Sequence, residues 1–99
     1  MDRRGALTRR RHHDFCRCTV CIVRVARVQF PQRLPIFTVF DSPTDFVGFV
    51  VVRLFLNDAA THWVWTYDSI EAARAGMPPG FVRLERSEGD HPSVVESWI

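Results

Sequence analysis

Residues 49–56, FVVVRLFL, decide the fold. Side chains alternate across a strand, so Val50, Val52, Leu54 and Leu56 share one face without a polar group. Phe49, Val51, Arg53 and Phe55 share the other. The first face must be buried, and the second is at least half covered. Downstream, residues 57–61 (NDAAT) supply a turn, and residues 63–67 (WVWTY) alternate again, with Trp63, Trp65 and Tyr67 on one side. Upstream, residues 36–40 (IFTVF) are β-branched and aromatic, and the turn-rich residues 41–45 (DSPTD) stop them.

Past Tyr67 the periodicity changes. Asp68 with Glu71 three positions on has the form of a capping box, and residues 69–75 are strong helix formers with Ile70, Ala73 and Met77 on one side. Gly76 suits a left-handed C-cap, and Pro78-Pro79 forbids continuation. Residues 81–86 and 93–99 read as two more strands around a polar turn. The expected fold is α+β, a small, mainly antiparallel sheet in the order β-β-β-α-β-β with one short helix on one face, over residues 36–99.

The remaining third differs in kind. Residues 1–34 hold nine of the thirteen arginines and two acids, a charge of +7, whereas residues 35–99 carry −5. The chain total of +2 therefore joins a basic arm to an acidic body, and there is no lysine. Ten of the twelve aromatic residues follow Pro35, which places the core in the body. Three readings of the arm stand side by side. It is disordered, or residues 20–28 add an edge strand with Arg24 and Arg27 as charged gatekeepers. Otherwise it is GC-rich upstream DNA translated ahead of a true start near Val28 or Leu34.

The body resembles a family of small uncharacterised bacterial proteins. The resemblance rests on Thr38-Val39-Phe40-Asp41-Ser42-Pro43-Thr44-Asp45-Phe46, on a Phe-Val-Val-Arg-like strand at 49–53, and on Ser69, Glu71, Ala73 and Arg74. The Pro-Pro-Gly turn at 78–80 and the ending Val95-Glu96-Ser97-Trp98-Ile99 complete it. Val47, Ala72 and His91 depart from the family pattern, where a proline, a second glutamate and an acid are usual. The resemblance implies the fold and the boundaries of residues 36–99, and no activity, cofactor or partner.

Several chemistries can be weighed on residue spacing. Cys18 and Cys21 have the two-residue gap of a zinc ligand pair, which Cys16 and His13 would complete. Against this, Thr19 and Val20 are β-branched and favour extended backbone, and the alternative is three incidental reduced thiols. Arg9, Arg10 and Arg11 suit phosphate, giving a nucleic-acid-associated alternative, although the acidic body opposes a duplex. No apolar run is long enough for a membrane span or a signal peptide, so a cytoplasmic protein without membrane association is expected. No nucleophile, base and orienting group fall together, so neither an enzyme nor a cofactor is expected.

The leading expectation is a non-catalytic protein-interaction or accessory module with a protein partner, a homodimer being one form of it. Tyrosine, tryptophan and arginine dominate interface hot spots, which singles out Trp63, Trp65, Tyr67, Arg53 and Trp98. The competing use of these aromatics is to fill the core of a small domain.

Overall fold

The computed structural model describes residues 16–99. Helix α1 spans Thr19–Gln29, and strand β1 spans Pro35–Asp41. A single 3₁₀ turn at Thr44–Phe46 leads to β2 (Val50–Leu56) and β3 (Ala59–Tyr67). Helix α2 (Ile70–Ala75), β4 (Arg83–Glu85) and β5 (Val94–Trp98) follow. The five strands form one sheet in the order β3-β2-β1-β5-β4, and every neighbouring pair is antiparallel.

The α+β antiparallel reading holds, and β2 is buried as its alternation dictates. Val50, Val52, Leu54 and Leu56 enter the core, joined from β1 by Phe37 and Val39. Both helices lie on this face of the sheet and contribute to the same core, α1 through Ile22, Val23 and Ala26 and α2 through Ala73. The core therefore draws on residues from both sides of Pro35. Its largest fully buried side chain is Phe37, whose ring lies 5.2 Å from that of Phe81 and 5.7 Å from that of Trp65.

Four expectations need correction. The described residues hold two helices where one was expected, because residues 20–28 do not add an edge strand; they lie within α1. Thr19, Ile22, Val23 and Ala26 recur at the i, i+3, i+4, i+7 spacing of a buried helical stripe, and that stripe outweighs the β-branched character of Thr19 and Val20. Strand β3 begins at Ala59, because a two-residue turn closes the hairpin once Asn57 adopts a left-handed φ of 57°. The Asn57 side chain also accepts the Leu34 N–H at 2.8 Å, which ties the approach to β1 onto this turn.

At α2 the N-cap is Ser69, one residue past Asp68, with its hydroxyl oxygen accepting the Ala72 N–H at 3.0 Å. Gly76 ends α2 in a right-handed conformation, φ −85°, so its glycine is not needed for backbone freedom. It is needed for room: a Cβ there would lie 2.5 Å from the Tyr67 hydroxyl. The Gly76 carbonyl in turn accepts a hydrogen bond from the Thr19 hydroxyl, so α1, α2 and β3 meet at this residue.

Candidate functional site

With both helices on one face, the opposite face of the sheet carries neither of them, and the 3₁₀ turn at Thr44–Phe46 reaches over only its Phe40–Val51 corner. Period-two alternation brings Ile36, Thr38 and Phe40 of β1 to it, and antiparallel register sets them beside Phe55, Arg53 and Val51 of β2. On the other flank, Thr38 pairs with Ser97 and Phe40 with Val94 of β5. Val51 and Val94 are buried, while Ile36, Phe40, Arg53 and Phe55 remain half-buried. Arg53 donates from Nη1 to the Thr61 carbonyl at 2.7 Å, which lays its stem along the face.

Three hollows open on this face and share Phe40. The largest, about 420 Å³, runs over Ile36, Phe40, Phe55 and Val94 toward Asp58 and Asp90. Two smaller ones, about 180 and 210 Å³, lie between Phe40 and the Pro43–Asp45 turn. The floor is therefore apolar, and Asp45, Asp58 and Asp90 stand on the rim. The rim is braced by its own backbone. Asp90 accepts the Ser87 N–H at 2.8 Å, His91 Nδ1 pairs with the Ser93 hydroxyl at 2.8 Å, and Ser42 accepts the Gly48 N–H at 2.9 Å.

The aromatic residues singled out in the sequence lie on the helix-covered face. Trp63, Trp65, Tyr67 and Trp98 all pack against the core, half-buried. The Trp65 indole N–H donates to the Arg17 carbonyl, just ahead of α1. Burial, with Cys18 adding to it, pushes the Tyr67 hydroxyl above its ordinary pKa. Of the five residues named for protein binding, Arg53 alone faces the helix-free side. Ile36, Phe40 and Phe55 were missed as site residues, although the alternation of IFTVF against FVVVRLFL already put them together. A further hollow of about 380 Å³ lies on the helix side, between Phe30 and Arg33 after α1 and Trp63 of the β2–β3 hairpin.

Glu96 sits on the covered face of β5 at 1% exposure. Arg74 of α2 grips it with two bonds, Nε to Oε2 at 3.1 Å and Nη2 to Oε1 at 2.8 Å. The Trp98 indole N–H donates to Oε2 at 2.9 Å, and Arg83 Nη1 stands 3.5 Å from Oε1. Burial alone would raise this carboxyl, but the bonds from Arg74 and Trp98 and the charges of Arg74 and Arg83 outweigh it and hold the pKa below the ordinary value. Both Glu96 carboxylate oxygens are thus met inside the protein, and the Arg74 fork clamps α2 to the sheet.

Cys16, Cys18 and Cys21 come together ahead of and within the first turn of α1, with sulfur atoms all within 4.8 Å of one another. Cys18 is the N-cap, and the nearby backbone amide of Cys21 leads the effects that lower its thiol pKa. Hydrogen bonds with Cys16 and Cys18 push the Cys21 thiol up to about 11. His13, Arg9, Arg10 and Arg11 lie outside the described residues. Among those residues, no helix is long and apolar enough to cross a membrane. No protein-family model, curated protein or solved structure matches the chain.

Proposed function

We propose that this chain is a non-catalytic protein-interaction module that docks a partner on the helix-free face of its sheet. The observation that carries the reading is the run of hollows joined at Phe40, apolar along Ile36, Phe55 and Val94 and acidic at the rim. Apolar floors with polar rims are the anatomy of protein interfaces, and complementary charge selects the partner. The occupant is a partner segment whose apolar side chains enter the hollows while flanking arginine or lysine meets Asp45, Asp58 and Asp90. A sheet face this small gives an interface at the weak, transient end of the range.

Two synthetic peptides of equal length test it, one alternating leucine with arginine and one alternating leucine with glutamate. Amide chemical shifts of the labelled chain are followed during titration. The basic peptide should move the signals of Ile36, Phe40, Phe55 and Ser97 and bind at least about tenfold more tightly than the acidic one, a gap of about 1.4 kcal/mol. Equal binding of both peptides, shifts confined to the helix side, or a self-associated dimer that hides this face from either peptide would overturn the reading.

A further inference from the structure

The geometry points to a thiophilic metal site: we propose that Cys16, Cys18 and Cys21 bind one Zn²⁺ through three thiolates at the start of α1. The three sulfur atoms lie within 4.8 Å of one another. A tetrahedral zinc with Zn–S near 2.3 Å holds its sulfurs about 3.8 Å apart, so closing the triad needs shifts of about 1 Å at most. Small side-chain rotations supply this, because Cys18 is exposed and Cys16 and Cys21 are only half-buried. Three thiols in this arrangement have no disulfide solution that pairs them all, whereas one soft cation satisfies all three.

The local backbone favours the same outcome. Cys18 occupies the N-cap, and its first turn carries no acidic residue, so nothing there competes for the cation or for the free amide groups. The segment is also held from the other side, because the carbonyl of Arg17, between two of the ligands, accepts the Trp65 indole N–H. The ligands are thus anchored to β3 as well as to α1, and the ion would fasten the helix start to the sheet. On binding, each Sγ–H that still carries a proton gives it to solvent as its Sγ–Zn bond forms, so up to three protons leave per ion. The described residues supply three of the four positions of a tetrahedral zinc.

Titration of the full chain with Co²⁺ under a phosphine reductant tests the site, since the intensity of the thiolate-to-cobalt charge-transfer band counts sulfurs. The expected result is one ion per chain with the intensity of three thiolates, displaced by Zn²⁺. Cys16→Ser, Cys18→Ser and Cys21→Ser should each weaken binding at least about tenfold. Serine is a favourable N-cap, so Cys18→Ser should keep its helix, and far-ultraviolet circular dichroism checks this. An intensity of one or two thiolates, no saturable binding, or a single serine variant with unchanged affinity overturns the proposal. The peptide titration above is indifferent to these variants, so either reading can fail alone.

Discussion

The two faces of this sheet are written by the same strands and obey opposite rules. On the covered face Phe37, Val39, Val52 and Leu54 reach 0% exposure, and even a charge, Glu96, is admitted only with its hydrogen bonds met inside the protein. On the helix-free face the neighbouring positions hold Arg53, Thr38 and Ser97 among half-buried aromatics, and Thr38 and Ser97 come only to 3.5 Å of each other. A face closed by two helices leaves little freedom to its side chains. The face left open can vary its chemistry at small cost to folding, and it is there that recognition is proposed.

The largest effect expected belongs to the covered face. Phe37→Ala should cost about 3–5 kcal/mol in urea unfolding, because it removes the ring against which Trp65 and Phe81 pack. Next comes Glu96→Gln, at about 1–3 kcal/mol at neutral pH, since the amide cannot accept at both ends of the Arg74 fork. Its sign can be read against pH. The Glu96 carboxyl is held below its usual 4.5 in the folded chain, so its contribution is present above that pH and drains away as pH falls through the lowered value. Arg74, Arg83 and Trp98 face it, and Glu85 pairs beside it on β4. The gap in thermal midpoint between the native chain and Glu96→Gln should therefore narrow on acidification.

Phe55→Ala on the open face should cost only about 1–2 kcal/mol, a half-covered ring against the fully covered Phe37. An equal cost at both positions in urea unfolding would break the comparison. Smallest of all, Arg53→Met should change stability by less than about 1 kcal/mol while losing one bond to the Thr61 carbonyl. The same variant should widen the preference for the basic peptide, because it removes a positive charge that repels that peptide and attracts the acidic one.

Much of this division was legible in residues 49–56, because period-two alternation is a strong signal when one face is entirely apolar. The same logic applied to residues 36–40 would have exposed the aromatic floor. It was masked by Trp63, Trp65 and Tyr67, whose size drew the functional reading to the covered face. Helix α1 was harder to see. Its stripe at 19, 22, 23 and 26 contains a threonine and an alanine, and it is interrupted by arginines that point outward. Gly76 was legible as a helix end but not as the point where Tyr67 needs space, since that contact joins residues of different elements. The cysteine spacing was readable, yet the helix that gathers Cys16, Cys18 and Cys21 was not.

The place of β5 in the sheet has a consequence for how the chain is made. It is the last of the described strands in chain order, yet it lies inside, between β1 and β4. The β1–β2–β3 meander can zip from neighbours in sequence, but Thr38 must wait for Ser97, 59 positions away. During synthesis from the N-terminal end, the second edge of β1 stays unsatisfied until residues 94–98 emerge, and Glu96, the acceptor for Arg74, arrives with them. A nascent chain at that stage presents a bare strand edge beside an unfilled core, the state most exposed to mispairing with another chain. Chaperone capture should accordingly be strongest for chains stalled between residues 67 and 94, and should fall sharply once β5 has been added.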